Sequence, residues 1–311
     1  MSFTSEVKSE MGQNILKPCC MTAQLSALIQ LCSTVNINSQ GLYLSIKTEN
    51  ATTAKRIWLL LKEKYDVEME LSVFKKMRLK KNNIYVIKVM NKAQDILNDL
   101  DLYTNGRLKA HPGYQIVRKE CCARAYLAGA FMASGSVNSP IKSNYHLELA
   151  TLDKDHALFI LKLMHRFELP AKYIQRRNQH VVYLKASEKI SDFMRFTGAH
   201  NSVMAFEDLR IQRDFRNSLT RLDNCELANE VKSLEAGQRQ LTDIALLRKH
   251  DRIRYLDKKL QEVVELREDF PEASLNELCE EYAVRTKNSI SKSGMKHRLA
   301  KLSDMASKLD E

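Results

Sequence analysis

The chain has 311 residues, of which 44% are hydrophobic and 28% charged, and this is enough for two globular domains with their own cores. Its formal net charge of +11 favours an anionic partner, nucleic acid first and an acidic membrane surface second. No apolar run approaches the roughly 20 residues of a membrane-spanning helix, and the polar N-terminus is unlike a signal peptide, so we expect a cytoplasmic protein outside the membrane.

The first predicted helix lies in a stretch that the chain contains twice. KPCCMTAQLSALIQLCSTVN begins at Lys17, and KECCARAYLAGAFMASGSVN begins at Lys119. Aligned without gaps, they predict an internal repeat, which is a strong constraint on the fold. The identical positions are Lys17/Lys119, Cys19/Cys121, Cys20/Cys122, Ala23/Ala125, Leu25/Leu127, Val35/Val137 and Asn36/Asn138.

The same order of patterns follows each copy of this stretch. In the first copy, the strand-like GLYLSIK precedes the helical TAKRIWLLLKEKY, a basic segment, the strand-like NIYVIKV and the helical KAQDILNDL. In the second, YHLELA, HALFILKLMHRF, AKYIQRR, HVVYLKA and KISDFMRF occupy the same places. Both copies, at about 17–100 and 119–198, are therefore predicted to run helix, strands, helix, strands, helix. Neither copy hides its apolar surface alone, so we expect the two leading helices to pack together.

The seven cysteines include no CxxC pair. Adjacent cysteines such as Cys19 and Cys20 are poorly placed to chelate one metal together. We therefore expect buried, reduced thiols, with no metal and no cofactor.

This order of elements resembles the LAGLIDADG homing endonuclease fold, and Leu127-Ala128-Gly129 matches its signature literally. The resemblance implies an α+β domain of tandem α-β-β-α-β-β-α repeats that forms a pseudo-dimer. Small residues on the leading helices would let the two backbones approach closely at the pseudo-twofold axis. The residues that supply such positions are Ser26, Ala27, Ala128, Gly129 and Ala133.

Active members of that fold carry an acid at the eighth motif position, because hard divalent cations prefer oxygen ligands. Here the eighth positions hold Cys32 and Ser134, and the sixth hold Gln30 and Met132. We therefore predict no catalytic residues and no enzyme, with a residual metal-dependent DNA endonuclease as an alternative.

Basic residues precede the last strand of each copy, on what would be the DNA-facing surface of that fold. Nucleic-acid contact there is one interpretation, and a solvated basic hairpin is the other. The residues are Lys75, Lys76, Arg78, Lys80 and Lys81 in the first copy and Lys172, Arg176, Arg177 and His180 in the second.

After Ala199 the chain becomes dense in Arg, Asp and Asn, and we interpret 201–224 as a linker between residues 1–200 and a helical domain at 225–311. Helical periodicity is predicted from Cys225 to about Phe270, where Pro271 ends it. Two apolar faces are predicted on this stretch: Leu227, Val231 and Leu234, then Leu256, Leu260, Val263 and Val264.

The segment at about 274–307 has the pattern of a helix-turn-helix. Ser274 and Glu277 form a capping box before a helix with Leu275, Leu278, Cys279 and Tyr282 on one face. A polar break from Arg285 to Ser289 precedes a second helix near Ser291, with Met295, Leu299 and Leu302 buried.

The charge of this segment is uneven, since its first helix is acidic and every charged residue from Arg285 to Lys301 is basic. The N-terminal end of the second helix enters the major groove in such motifs. We predict DNA contacts here, and a basic helix docking on an acidic protein is the alternative. The predicted residues are Ser274, Ser289, Ser291, Lys292, Ser293, Lys296, His297, Arg298 and Lys301.

A degenerate LAGLIDADG pair followed by a helix-turn-helix resembles the WhiA family of bacterial regulators. The resemblance is carried by four segments: CCARAYLAGAFMASGSVNSP, FMRFTGAHNSVMAFEDLRIQRDFRNS, RLDNCELANEVKSLEAGQRQ and SISKSGMKHRLAKL. It implies a nucleoid-associated regulator of transcription that binds promoter DNA, with roles in cell division, chromosome segregation and, where it occurs, sporulation.

In that family the helix-turn-helix, which is similar to the promoter-reading region 4 of sigma factors, dominates DNA affinity. RNA polymerase, a sigma factor or a division or segregation protein are the implied partners. An adapter acting through the LAGLIDADG domain is the second hypothesis.

Overall fold

The computed structural model describes residues 2–38, 41–75, 83–142 and 144–309. The predicted DNA contacts Lys76, Arg78, Lys80 and Lys81 lie outside these residues. The chain divides into two compact units, Met1–Gln212 and Arg213–Glu311, and each has its own hydrophobic core. Within the described ranges, no helix is both long enough and apolar enough to cross a bilayer.

The first unit contains the two predicted repeats, preceded by a short helix, α1 (Phe3–Met11). The first repeat consists of α2 (Pro18–Cys32), β1 (Ser33–Asn38), β2 (Gly41–Thr48), α3 (Ala51–Tyr65), β3 (Met69–Lys75), β4 (Asn83–Val89) and α4 (Ala93–Asp99). A hairpin of β5 (Tyr103–Thr104) and β6 (Arg107–Leu108) follows. The second repeat consists of α5 (Glu120–Ser134), β7 (Gly135–Val137), β8 (Leu147–Thr151), α6 (Lys154–Arg166), β9 (Lys172–Arg176), β10 (Gln179–Leu184) and α7 (Ser187–Phe196).

The two four-stranded sheets have the same topology, with strand orders β1-β2-β4-β3 and β7-β8-β10-β9. All their pairings are antiparallel. The copies also start their middle helices in the same way, because Asn50 and Asp153 each accept a hydrogen bond from a backbone N–H three residues later, at 2.9 Å. The predicted tandem α-β-β-α-β-β-α arrangement is confirmed.

The leading helices α2 and α5 pack against each other, and Gly129 sits where they come closest. A Cβ on Gly129 would lie 2.5 Å from the carbonyl oxygen of Gln24 and 3.1 Å from Cβ of Ala27. Both helices are apolar around most of their circumference because they are buried on nearly every side. The predicted use of small residues for close approach is confirmed at Gly129.

The second unit is helical. It contains most of α8 (His200–Lys249), a 3₁₀ turn (Ile253–Tyr255), α9 (Lys258–Asp269), α10 (Leu275–Thr286) and α11 (Lys292–Ser307). Ile244 and Leu247 of α8 share its core with buried residues of the three later helices.

The segment 201–224, which we interpreted as a linker, is part of α8. Val203 and Phe206 near its start are buried, whereas residues 214–224 are exposed. Two other expectations for this region were wrong. The helix does not continue to Phe270, since Asp251 is left-handed (φ 54°) and breaks it. The first predicted apolar face is not buried, since the exposed fractions of Leu227, Val231 and Leu234 are 60%, 45% and 41%. The second predicted face, from Leu256 to Val264, is buried as expected.

Candidate nucleic-acid interface

The positions that hold catalytic acids in active LAGLIDADG endonucleases lie at the C-terminal ends of α2 and α5. Cys32 is the last residue of α2, and Ser134 is the last residue of α5. The Ser134 hydroxyl donates to the carbonyl of Ala130 at 3.4 Å, within its own helix. The Gln30 amide donates to the carbonyls of Lys109 and Ala110, at 3.3 and 2.9 Å. These side chains therefore serve local packing, and none of them is a carboxylate.

A lysine that the sequence analysis did not single out lies beside this position. Lys8 of α1 is only 9% exposed, and its ammonium lies 5.9 Å from the ring centroid of Phe131 on α5. Burial lowers the pKa of Lys8 to about 8, and burial raises the pKa of the neighbouring Cys32 thiol to about 12. At neutral pH an ammonium therefore faces a neutral thiol, an arrangement that repels a divalent cation.

The helix-turn-helix is built as the sequence predicts. The Ser274 hydroxyl accepts from the Glu277 N–H at 3.4 Å, and the Glu277 carboxylate accepts from the Ser274 N–H at 2.6 Å. The predicted capping box is confirmed, and Ser274 caps α10 in this way. The predicted core is also confirmed, since Leu278, Tyr282, Met295, Leu299 and Leu302 are all buried.

The turn between α10 and α11 contains no proline and is held by side-chain hydrogen bonds. The Thr286 hydroxyl donates to the Tyr282 carbonyl at 2.8 Å and accepts from the Asn288 N–H at 3.3 Å. Lys287 adopts the left-handed conformation (φ 56°) that ends α10. Ser291 then caps α11 by accepting from the Gly294 N–H at 3.1 Å. These contacts fix where the second helix starts.

Most of the predicted DNA contacts share an exposed basic edge of the second unit. Among the described residues, Lys292, Lys296 and Lys301 form no ion pair with a carboxylate. The first acid on α11 is Asp304, beyond this stretch, and the helix N-terminus adds partial positive charge. We call these residues the α11 edge: Ser289, Ser291, Lys292, Ser293, Lys296, His297 and Lys301, all exposed.

Two arginines near this edge are held by intramolecular contacts. Arg298 is half-buried, with its guanidinium 5.1 Å from the ring centroid of Tyr282. Arg285 forms an ion pair with Asp269 at 2.6 Å and lies 5.4 Å from the ring of Phe270. Arg298 therefore stiffens the helix pair, and replacing it would disturb the fold together with any DNA contact.

The basic residues of the two sheets differ from one another in how many contacts they make within the protein. Arg176 forms an ion pair with Glu148 at 3.2 Å, and that carboxylate also meets His146 at 3.0 Å. Lys75, Lys172 and Arg177 are exposed, and Arg177 is left-handed (φ 51°) in the β9–β10 hairpin. His180 lies 2.6 Å from the Tyr173 hydroxyl through its Nδ1. Among the members of this group that the structure describes, the fewest competing contacts are found for Lys75, Lys172 and Arg177.

Comparison with family models covers nearly the whole chain. A model described as the WhiA N-terminal LAGLIDADG-like domain matches residues 18–103, and one described as the WhiA LAGLIDADG-like domain matches residues 123–216. A third, described as the WhiA C-terminal HTH domain, matches residues 219–306. The third match contains the α11 edge.

Individual proteins agree with these matches. The chain is 44% identical over 310 residues to proteins of Bacillus licheniformis and Bacillus cereus named probable cell division protein WhiA, covering 99% of the chain and 97% of each relative. Among solved structures, full-length DUF199/WhiA from Thermatoga maritima covers 99% of both chains with a TM-score of 0.58 and 18% identity. The N-terminal LAGLIDADG domain of DUF199/WhiA covers 63% of this chain and 90% of its own, with a TM-score of 0.50 and 19% identity. These likenesses show the fold.

Proposed function

Since the chain belongs to the WhiA family, with a LAGLIDADG-like domain and a C-terminal helix-turn-helix, we propose that it is a non-catalytic regulator that binds duplex DNA mainly through the α11 edge. The observation that carries this proposal is the exposure of Lys292, Lys296 and Lys301 on one helix that follows a capped, well-packed partner helix. Cationic side chains left without carboxylate partners are available to neutralise phosphates.

The proposed roles differ along the edge. We assign phosphate contacts to Lys301 and to the serines before α11, with the helix N-terminus assisting. Lys292, Ser293, Lys296 and His297 lie in the first two turns, the part of a recognition helix that reaches base edges in the major groove. Arg298 and Ser274 act through structure, by packing on Tyr282 and by capping α10.

Removal of the charges of the α11 edge tests this proposal. The combined variant Lys292→Ala, Lys296→Ala and Lys301→Ala should weaken binding to a mixed-sequence duplex by about 100-fold or more at low salt, measured by fluorescence anisotropy. The matched control is Lys249→Ala, Lys258→Ala and Lys259→Ala, which removes the same charge from exposed positions of the same unit. Equal affinity of the two variants would refute the proposal.

The proposed lack of nuclease activity is supported by the residues at the ends of α2 and α5. Without a carboxylate at position 32 or 134, and with Lys8 adjacent, the site is unsuited to bind Mg²⁺. Incubation with a plasmid library and Mg²⁺ or Mn²⁺ should give no nicking above the level of a buffer control. Metal-dependent cleavage would overturn this part.

The biological part of the proposal rests on the relatives. Their name supports a role in cell division. We further propose more specific roles. They are transcription regulation at promoters near RNA polymerase or a sigma factor, chromosome segregation, sporulation and association with the nucleoid. Crosslinking of the protein to chromosomal DNA in cells, followed by sequencing, tests whether it occupies promoters.

An adapter role for the first unit is a second candidate, and the edge strand β3 favours it. Val73 and Phe74 are 52% and 57% exposed, which suits a protein surface better than a phosphate backbone. The variant Val73→Glu with Phe74→Glu should impair cell division while leaving DNA affinity unchanged. Normal division in this variant would end the adapter hypothesis.

A further inference from the structure

Four thiols meet at the N-terminal ends of α2 and α5, at the opposite end from Cys32 and Ser134. The Sγ atoms of Cys19, Cys20, Cys121 and Cys122 all lie within 4.8 Å of one another. Within each adjacent pair the two sulfur atoms are 4.0 Å apart. Each adjacent pair alone is poorly placed to chelate a metal, but the fold joins the two pairs across the pseudo-twofold axis.

We propose that these four cysteines form a mononuclear zinc site. A tetrahedral site with Zn–S bonds of about 2.3 Å has sulfur–sulfur edges of about 3.8 Å, so the sulfurs need to move by less than about 1 Å. Soft thiolates select Zn²⁺ over oxygen-seeking cations such as Mg²⁺. A cluster of several irons holds its cysteine sulfurs further apart, so the spacing favours a single ion.

The surroundings favour the charge of such a site. On binding, the four thiols release their protons, and Zn²⁺ with four thiolates carries a net charge of about −2. Two helix N-termini point their partial positive charge at this position, because each cysteine pair lies in the first turn of its helix. Lys17 and Lys119, which precede the two helices, add full positive charge.

A cleft of about 240 Å³, lined in part by Lys17, Cys20 and Cys121, gives an ion a route to the sulfurs.

The proposed site would tie the two repeats together. Each repeat contributes two ligands, so the bound ion crosslinks α2 to α5 at the end of the helix pair away from Cys32. This proposal does not depend on DNA binding by the second unit.

Cobalt titration of the reduced, chelator-treated full-length protein tests the proposal. We expect one Co²⁺ per chain, with thiolate-to-cobalt charge-transfer bands and the intense visible bands of a tetrahedral ion, and displacement by Zn²⁺. The variant Cys20→Ser with Cys122→Ser should lose these bands. Cys225→Ser, which removes an exposed thiol from α8, should retain them.

Three results would overturn the proposal. The first is the absence of charge-transfer bands in the reduced wild-type protein, which decides the matter even if the double variant does not fold. The second is retention of the bands by a folded double variant, as judged by circular dichroism. The third is a protein mass lower by two or four hydrogens under the same reducing conditions, which would identify the cluster as disulfide-bonded.

Discussion

The two units differ in the size of their cores and in how their basic residues are arranged. The first unit has the larger core, buries Lys8 and His156 with exposed fractions of 9% and 1%, and holds its repeats together through a backbone approach at Gly129. The second unit has a smaller core, in which Arg267 is also buried, and leaves Lys292, Lys296 and Lys301 exposed on α11. The difference indicates that substitutions in the core of the first unit should change stability, whereas substitutions on the α11 edge should change DNA binding.

The largest stability effect should come from the helix crossing. Gly129→Ala places a methyl group 2.5 Å from the Gln24 carbonyl oxygen, and we expect a loss of roughly 2–3 kcal/mol after the helix-propensity gain of about 1 kcal/mol is included. Trp58, the single tryptophan, lies in the first unit, so its fluorescence reports the unfolding of that unit.

Ser134→Ala is the matched control on the same helix, because among the described residues that hydroxyl bonds to no group outside α5. It should be close to neutral. Unchanged stability of Gly129→Ala would show that the helices do not cross as described. A large loss of DNA affinity at a temperature where the variant is folded would break the contrast between the two units.

A smaller effect of opposite sign should come from Lys8. The pKa of Lys8 in the folded protein is about 8, below the ordinary 10.5. Below pH 8 the buried ammonium therefore lowers the free energy of unfolding by its full amount. This destabilisation disappears as the pH rises toward 10.5. Lys8→Met should therefore stabilise the first unit by on the order of 2 kcal/mol at pH 7, and by less at pH 10.

Lys55→Met, at an exposed position of α3, is the matched control and should change little. Chemical denaturation at the two pH values, followed by Trp58 fluorescence, gives both numbers. Destabilisation by Lys8→Met at pH 7 would show that the ammonium makes a favourable contact there.

The last effect is absent at pH 7 and concerns acid sensitivity. His156 lies between the Tyr126 hydroxyl, 2.8 Å from Nε2, and the Thr151 hydroxyl, 3.3 Å from Nδ1. Burial lowers its pKa from 6.5 to about 4, so the unfolded chain binds more protons in this window, and stability falls as pH drops from 6.5 toward 4. The contribution is at most about 1.4 kcal/mol per pH unit.

His156→Gln should remove this part of the pH dependence, whereas the exposed His200→Gln should keep it. Unfolding free energies at several pH values between 4 and 7 provide the comparison. An identical slope in both variants would contradict a buried neutral histidine.

The fold was predictable where local pattern and burial agree. Alternation at Asn83–Val89 and the capping box at Ser274 each specify an element from neighbouring residues alone, and both elements are observed. The repeat then predicted that two such copies pack through their leading helices, because neither hides its apolar surface by itself. The candidate DNA-binding edge followed from charge and helical spacing at Lys292 to Lys301.

Features that depend on distant parts of the chain were not predictable. Lys8 lies beside Cys32 only because α1 folds back over the helix pair, and Cys20 meets Cys121 only after α2 and α5 have packed. The partners of Arg176 and Arg298 are likewise set by tertiary contacts with Glu148 and Tyr282. Residue type alone cannot show which arginines are free for a ligand.

The central claim is that the second unit dominates DNA binding, and the salt dependence of affinity tests it most directly. The measurement compares Lys292→Ala, Lys296→Ala and Lys301→Ala with Lys75→Ala, Lys172→Ala and Arg177→Ala, which remove equal charge from the two units. In a plot of log Kobs against log salt concentration, the α11 variant should lose about 0.9 of slope per phosphate contact, while the sheet variant keeps the wild-type slope. A larger loss of slope in the sheet variant would contradict the account.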